Sequence, residues 1–283
     1  MKICLFNHPI CIISLANKIF MLEQTLNKNL YDHPKYYDWA ICSFRDVKKE
    51  VDFIRECINR FSRIEVKNVI ELACGPAPNA EKFTASDFQY HGIDISPAMI
   101  DYCIQKYASL KDKVHLIRGN MLDFKVDNLI GKADLVLIMC GSFFPKNQKD
   151  IIKNLDSVAL HLRKGGLYIL DSCIVKDYGE SEPVEYSLEV NNTPLFVRLK
   201  LNIIDQKEHL IEYILNVQAM EKDKILCFKS SDTFMEITFQ DLDNIIRTHP
   251  QFELCGFFND FSVDDPFDKK REFTRPLTIM RRI

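Results

Sequence analysis

One short stretch of the chain combines an acid, small residues and prolines in a way that suits ligand binding. Residues 69–79 read VIELACGPAPN, an apolar run that ends in Glu71 and small residues and then breaks at Gly75 and Pro76. A helix start follows from Asn79. A strand that turns directly into a helix places backbone N–H groups beside one spot, and small residues let a ligand approach the backbone. An ordinary strand–helix junction has the same pattern.

Polar side chains also stand at the ends of the next two predicted strands. Asp94 follows Glu71 by 23 positions (94 − 71), and an acid at the end of a second strand is suited to accept hydrogen bonds from a ribose diol. Asn120 can both donate and accept, as an adenine edge requires. Met99 and Met121 are soft apolar side chains of the kind that flank a purine ring. These residues predict a site for an adenosine-containing ligand.

The sequence of the turn after the first predicted strand distinguishes between two classes of adenosine-containing ligand. A dinucleotide needs room for a pyrophosphate, usually provided by the pattern G-x-G-x-x-G. This turn has one glycine, Gly75, and the nitrogens of Pro76 and Pro78 cannot donate hydrogen bonds. An adenosyl ligand without phosphates is therefore favoured over a dinucleotide.

The elements that must position these residues alternate between strand and helix up to residue 171. Apolar residues recur at helical spacing from Val47, and Ser96-Pro97 has the residue types favoured at an N-cap and at the first helical position. Strands are predicted over 67–73, 89–95, 114–118, 133–139 and 167–171, and a helix over 147–163 that ends at Gly165-Gly166. This alternation predicts a parallel, doubly wound sheet.

The pattern changes after the fifth strand. Alternating stretches separated by polar turns run from 184 to 228, which predicts an inserted antiparallel meander. A helix over 238–248 and strands near 252–258 and 277–281 follow. The acidic segment 264–268, Asp-Asp-Pro-Phe-Asp, is predicted to be a solvated loop.

Five segments resemble, in order, the motifs of class I S-adenosylmethionine-dependent methyltransferases. They are ELACGPAPNA, GIDISPAMI, VHLIRGNMLDF, ADLVLIMCGSF and LRKGGLYIL. The chain is most similar to the small-molecule branch, which includes glycine and aminosugar N-methyltransferases. The resemblance implies an α/β fold with a doubly wound, seven-stranded, mostly parallel, Rossmann-like sheet and an inserted antiparallel β meander. It also implies S-adenosylmethionine as the cofactor, S-adenosylhomocysteine as the product, and a small-molecule methyl acceptor.

The resemblance assigns roles to individual residues. Asp94 matches the acid that holds the ribose hydroxyls, Ile95 lies beside the adenine, and Asn120 stands where many relatives have an aspartate. Ala73 and Ala77 replace glycines that are common in the family. The residues expected to bind the cofactor are Tyr37, Glu71, Ala73, Cys74, Gly75, Ala77, Asp94, Ile95, Met99, Asn120, Met121, Met139, Cys140 and Gly141.

The catalytic candidates are Tyr37, Ser142 and His33. Tyr37 belongs to an aromatic segment that is expected to fold over the site as a lid and exclude water, although its rings would equally well pack a helix onto the sheet. Ser142 follows the fourth strand, where the acceptor lies in this family. His33, also in the lid segment, is a minor candidate for a general base. Cys140 is expected to be a neutral wall residue, because no histidine is paired with it.

Four domain segments are expected. They are an N-terminal extension over 1–20, a helical lid segment over 21–65, the cofactor-binding domain over 66–175 with 235–283, and an inserted β subdomain over 180–232 that covers the acceptor site.

Composition narrows the alternatives. A net charge of −3 and a pI near 6.2 give no general attraction to nucleic acid or to anionic membranes. The ten cysteines form no C-x-x-C pair, which predicts buried thiols in the cytoplasm rather than zinc ligands or disulfides. No metal is expected, and the chain is expected to be a monomer or homodimer. A nucleic-acid or protein methyltransferase and a non-catalytic cofactor-binding module stay open as alternatives.

Overall fold

The structure of the protein is a computed structural model that describes residues 28–175, 182–222, 224–267 and 275–283. The predicted N-terminal extension over 1–20, the first residues of the predicted lid and Asp268 lie outside the described residues.

The described residues form thirteen β-strands. They are β1 (Lys28–Asn29), β2 (Asn68–Leu72), β3 (Gln89–Asp94), β4 (Val114–Arg118), β5 (Ala133–Ile138), β6 (Leu162–Asp171), β7 (Val184–Val190), β8 (Thr193–Asp205), β9 (Leu210–Glu221), β10 (Lys224–Met235), β11 (Phe252–Asn259), β12 (Ser262–Pro266) and β13 (Pro276–Arg282).

Eight of these strands form the main sheet, in the order β12–β11–β13–β6–β5–β2–β3–β4. Strands β2 to β6 pair in parallel, whereas β13 runs antiparallel to β6, β11 to β13, and β12 to β11. Because β2 to β6 are parallel, their carboxyl ends lie at one edge of the sheet, and this edge gathers the residues that the sequence singled out.

Six α-helices accompany the strands in the described part of the chain. They are α1 (Pro34–Tyr37), α2 (Val47–Phe61), α3 (Ala80–Thr84), α4 (Pro97–Lys106), α5 (Gln148–His161) and α6 (Phe239–Thr248), with a π-helical turn at Asp38–Cys42 after α1. Side chains cap the longer helices: Asp46, Ser96 and Asn147 accept hydrogen bonds from backbone N–H groups of the first turn, and Thr238 forms a capping box. No helix among the described residues has the length and apolarity that a membrane span requires.

Apolar side chains on both faces of the main sheet form two core layers. Ile70 and Val136 point to the face that α5 and α6 cover, and Val69 and Leu135 point to the face covered by α2, α3 and α4. Strand β5 is buried along its whole length, which explains its unbroken apolar sequence.

A second sheet has the order β1–β10–β9–β8–β7. Strands β7 to β10 form an antiparallel meander, and the two residues of β1 extend it in parallel. Its apolar face packs on the segment that contains α1: Leu30, Tyr36 and Ala40 share a core cluster with Val217 and Phe228. The segment around α1 therefore lies against the second sheet.

Three details differ from the sequence-based expectation. The main sheet has an eighth strand, because residues 262–266, which include the first three residues of the predicted acidic loop, pair with β11. Strand β6 begins at Leu162, directly after α5, and includes Gly165-Gly166, which were predicted to separate helix and strand. The meander extends to Met235, beyond the predicted end near 228.

Candidate functional site

The turn after β2 alternates between left-handed and ordinary backbone. Ala73, Gly75 and Ala77 have φ angles of 50°, 52° and 51°. For alanine the left-handed conformation costs about 1–2 kcal/mol, so the turn holds two strained residues at one site. Backbone hydrogen bonds maintain it: Ala77 N–H donates to the Cys74 carbonyl at 2.9 Å, and Cys74 N–H donates to the Ile93 carbonyl at 3.1 Å.

Asp94 ties the end of β3 to this turn. One carboxylate oxygen accepts from Gly75 N–H at 2.8 Å, and the other accepts from Ser96 N–H at 2.9 Å. Burial raises the pKa of the Asp94 carboxyl, and the N–H groups of Ser96 and Gly75 act in the opposite direction. The structure thus places Asp94 beside Gly75, as the predicted role requires.

Glu71 supports the turn from below. Its side chain is 2% exposed and accepts from the Tyr90 hydroxyl at 2.8 Å and from Asn79 Nδ2 at 3.2 Å. Burial raises the pKa of this carboxyl to about 7. Because Asn79 directly precedes α3, Glu71 links the strand to the helix across the turn. Its carboxylate is thereby directed at protein groups, and its predicted contact with the cofactor stays a prediction.

The residues predicted to surround an adenine differ in how much of each side chain is exposed. Ile95 is 63% exposed and offers an apolar surface next to Asp94. Asn120 is half-buried, and its amide oxygen accepts from Leu122 N–H at 3.0 Å. Met121 packs on the main core. Met99 is only 2% exposed, and its predicted place beside a purine stays a prediction.

A second left-handed turn follows β5. Cys140 and Gly141 have φ angles of 58° and 66°. Asp171, the last residue of β6, accepts from Cys140 N–H at 2.7 Å through its carboxylate and from Gly141 N–H at 2.9 Å through its carbonyl. Ser142 is half-buried, and its N–H donates to the Met139 carbonyl at 3.3 Å. The Met139 side chain belongs to the core, and its predicted contact with the cofactor stays a prediction.

The segment 30–42 lies over the first turn and is called the lid here. The ring of Tyr37 is 3.7 Å from the position that a Cβ of Gly75 would take, and 5.7 Å from the ring of Tyr31, centroid to centroid. Ser96 Oγ donates to the Tyr31 carbonyl at 3.2 Å. The hydroxyl of Tyr102, on α4, donates to Asp38 at 2.8 Å. These contacts attach the lid to α4 and its N-cap, above Gly75.

Two predicted side chains point elsewhere. The ring of His33 lies 5.0 Å from that of Phe228 in the second sheet, so it contributes to the contact between lid and sheet, and its role as a general base stays a prediction. The Cys74 side chain is buried between the turn and Gly92, where its Sγ lies 2.9 Å from the position of an added Cβ. Burial raises the pKa of the Cys74 and Cys140 thiols, so both are neutral.

Sequence reasoning missed a buried ion-pair network beside the second turn. Arg275 donates to Asp171 through Nε at 2.8 Å and to Glu50 through an Nη at 3.1 Å. Arg45 donates through Nε to the same Glu50 at 3.0 Å. An acid at the end of β6 was a visible signal for Asp171, whereas nothing in the local sequence marks its partners.

Taken together, the carboxyl edge of the main sheet presents a carboxylate beside a small-residue turn, an exposed apolar side chain and an aromatic lid. This arrangement suits a nucleoside whose sugar is held by Asp94 and whose substituent lies along the turn under Tyr37. The described ranges contain no group of three or more His, Cys, Asp or Glu residues placed to hold a metal ion.

The amino-acid sequence is similar to that of known methyltransferases over part of its length. Residues 69–166 match the family described as "Methyltransferase domain". The putative methyltransferase YqeM of Bacillus subtilis (strain 168) is 27% identical over 108 residues, which are 38% of this chain and 42% of that protein. The chain therefore matches less than half the length of this curated relative.

Solved structures are similar over nearly the whole chain. An S-adenosylmethionine-dependent methyltransferase from Clostridium acetobutylicum ATCC 824 has a TM-score of 0.70 at 18% identity, covering 89% of this chain and 99% of that chain. The sugar N-methyltransferase KedS8 from Streptoalloteichus sp ATCC 53650 has a TM-score of 0.69 at 14% identity, covering 100% and 99%. The amino pentose methyltransferase CalS10 from Micromonospora echinaspora, solved with S-adenosylmethionine, has a TM-score of 0.66 at 12% identity, covering 92% and 100%.

At these identities the structures establish the fold. The predicted fold class, a Rossmann-like methyltransferase sheet with an inserted meander, is confirmed, as is the predicted resemblance to S-adenosylmethionine-dependent methyltransferases.

Proposed function

We propose that the protein is an enzyme that transfers a methyl group from S-adenosylmethionine to a small-molecule acceptor. The observation that carries this proposal is the contact between Asp94 and Gly75 N–H at 2.8 Å, which holds a carboxylate at the carboxyl edge beside a turn without phosphate-binding character. The match of residues 69–166 to a methyltransferase domain supports the same activity.

The residues at the edge fit this cofactor. Asp94 would hold the ribose hydroxyls, Ile95 and Asn120 would border the adenine, and the turn from Ala73 to Ala77 would hold the methionine part. When bound, S-adenosylmethionine supplies an activated methyl group for in-line displacement by the acceptor. Tyr37 would exclude water above Gly75, since its ring already covers that residue.

A small acceptor is supported by the lid. Tyr37 and Tyr31 lie between the first turn and the second sheet, so an acceptor must enter a space bounded by side chains of the same chain. Ser142 and Cys140, on the second turn, would border that space.

The eight cysteines of the described residues are all free thiols, which supports a reducing, cytoplasmic location.

Cofactor binding is tested by isothermal titration calorimetry with S-adenosylmethionine and S-adenosylhomocysteine. Asp94→Asn is expected to weaken binding about 10- to 100-fold, because hydrogen bonds to a charged carboxylate contribute about 1.5–3 kcal/mol. Asp101→Asn, which removes the same charge from an exposed position on α4, is the matched control and is expected to bind normally. Unchanged affinity in Asp94→Asn, or no binding by the folded wild-type protein, would contradict the proposed site.

Turnover is tested separately. The protein is incubated with methyl-labelled cofactor and a metabolite extract, and labelled products are separated by chromatography. A labelled small molecule is expected. Cofactor binding without any labelled product would instead favour a non-catalytic binding module.

A further inference from the structure

Two residues connect β11 to β12, and both have left-handed backbone. Asp260 and Phe261 have φ angles of 48° and 57°, and Asn259 pairs with Ser262 on either side of them. Two-residue turns with positive φ favour asparagine and glycine, and a bulky side chain at such a position is a conformational outlier. Strained residues of this kind persist where the surrounding structure holds them, and they cluster at functional sites. The β11–β12 turn therefore keeps an aromatic ring at a backbone position that disfavours it.

The ring of Phe261 covers the guanidinium of Arg275. Arg275 Cζ lies 4.4 Å from the centroid of the ring, and the face of an aromatic ring attracts a cation. The ring also packs against Phe53 of α2, with centroids 5.6 Å apart and planes at 73°. Phe53 is buried and Phe261 is half-buried. The Phe261 ring thus joins a buried side chain of α2 to Arg275.

The β11–β12 turn also holds the backbone of Arg275. Asp260 N–H donates to the Arg275 carbonyl at 2.9 Å, and Arg275 N–H donates to Asn259 Oδ1 at 3.3 Å. Lys49 of α2 donates to the Asp260 carboxylate at 3.1 Å, which attaches the turn to the helix. Arg275 is therefore held by this turn through both its backbone and its side chain.

Arg275 connects the β11–β12 turn to the second turn through Asp171. Its Nε donates to one carboxylate oxygen of Asp171 at 2.8 Å. The other carboxylate oxygen accepts from Cys140 N–H at 2.7 Å, and the Asp171 carbonyl accepts from Gly141 N–H at 2.9 Å. Asp171 is fully buried, so its charge depends on the guanidinium for compensation. Two N–H groups of the second turn thus bind one residue, whose carboxylate Arg275 holds in place.

We infer that Phe261 is a positioning residue for methyl transfer, which acts through Arg275 and Asp171 on the second turn. The inference rests on the proposed function, in which the second turn borders the acceptor space. The ring shields the guanidinium and keeps it on Asp171, and Asp171 keeps the second turn in its left-handed form. A small displacement of groups that border reacting atoms lowers the rate strongly, even when its cause is remote.

The first test measures hydrogen exchange at single backbone amides by NMR, without added ligand. Phe261→Leu keeps an apolar side chain but removes the aromatic face, and it is expected to make the Cys140 and Gly141 amides exchange about 10-fold faster. Phe261→Tyr keeps the face and is expected to exchange as wild type does. The Gly75 amide, which donates to Asp94 in the first turn, is the internal reference and is expected to be unchanged in both variants.

The second test measures methyl transfer. Each variant is incubated with methyl-labelled cofactor and a metabolite extract, and the initial rates of label transfer are compared. Phe261→Leu is expected to lower the rate about 10-fold, while its affinity for S-adenosylhomocysteine, measured by calorimetry, stays within about 3-fold of wild type. Phe261→Gly removes the ring but favours the left-handed backbone, and it is expected to lose as much transfer. If distortion of the β11–β12 turn were the cause of the loss, glycine would restore transfer.

Phe61→Leu is the matched control. Phe61 of α2 packs on Phe258 of β11 with ring centroids 5.7 Å apart, and it is half-buried as Phe261 is. Its replacement is expected to leave both transfer and exchange at the second turn unchanged.

Three results would overturn the positioning role of Phe261. They are unchanged exchange at the second turn in Phe261→Leu, full transfer by Phe261→Gly, and an equal acceleration of exchange at Gly75. If the wild-type protein formed no labelled product, the proposed function would fail instead. The exchange measurements would then still decide whether the ring holds the second turn.

Discussion

His91 shows how burial at a single residue affects stability. It lies on β3 opposite His115 of β4, and the two rings stack with centroids 4.8 Å apart. Burial, with a smaller effect of His115, lowers the pKa of His91 from 6.5 to about 4. At a pH between these two values, His91 is therefore neutral in the native protein and protonated in the unfolded chain.

We expect this residue to destabilise the protein as the pH falls. Between the two pKa values the unfolded state binds more protons, so stability decreases from pH 7 to pH 5, by about 2 kcal/mol for His91 alone. Urea unfolding of wild type and His91→Gln at both pH values measures this contribution. The stability difference should shift in favour of the variant at pH 5; an unchanged difference would contradict the assigned protonation state. The comparison is needed because Glu71, whose pKa is raised to about 7, acts in the opposite direction.

At the scale of elements, β6 depends on two glycines that interrupt its pairing with β5. The register between β5 and β6 shifts between Ala133 and Leu135, and Gly165 has a φ of 88°. A Cβ on Gly166 would lie 2.6 Å from the carbonyl oxygen of Asp134. The glycines are therefore a bulge within the strand rather than a gap before it.

Gly166→Ala is accordingly expected to destabilise the fold by about 1–3 kcal/mol, because the added methyl group meets backbone atoms that cannot move aside easily. Lys164→Ala, at an exposed position of the same strand, is the matched control and is expected to change stability by less than about 0.5 kcal/mol. Urea denaturation measures both. Equal stability of the two variants would show that β5 and β6 are spaced more widely than described.

At the scale of the whole molecule, buried charges join distant parts of the chain. Arg275 precedes β13, Asp171 ends β6, Glu50 lies on α2 and Arg45 follows the lid. Asp171 and Glu50 are almost fully buried. The network therefore fixes the approach of the lid to the edge that carries the second turn.

Removing one member should be costly. Arg275→Ala is expected to reduce the free energy of unfolding by about 3 kcal/mol or more, because it leaves two buried carboxylates with fewer partners. Lys48→Ala breaks an exposed ion pair with Asp52 on α2 and is expected to cost less than about 1 kcal/mol. Thermal and urea denaturation of both variants provide the comparison. A similar small loss in both would indicate that the network contributes little to stability.

The sequence by itself determined most of the elements and the sheet edge at which the predicted cofactor residues lie. Ser96-Pro97 predicted the start of α4, and the apolar run after Asp134 predicted a strand buried on both faces. Asp94 could be found because a strand end followed by a helix cap places a side chain at the edge of a parallel sheet. The burial of Met99 and Met139 could not be predicted, because residue type alone does not distinguish a core side chain from one that faces a ligand.

Only the tertiary structure decided which distant residues meet. Strand alternation predicts that Asp232 and Phe228 share a face, but it does not specify that this face packs on the lid and brings Asp232 to Tyr31. The same holds for Arg275 with Asp171, which are 104 positions apart. Local sequence patterns indicate whether a segment forms a helix or a strand and which of its faces is buried. The partner across the interface is set by how the two sheets and the lid pack together, and that packing leaves no mark in the local sequence.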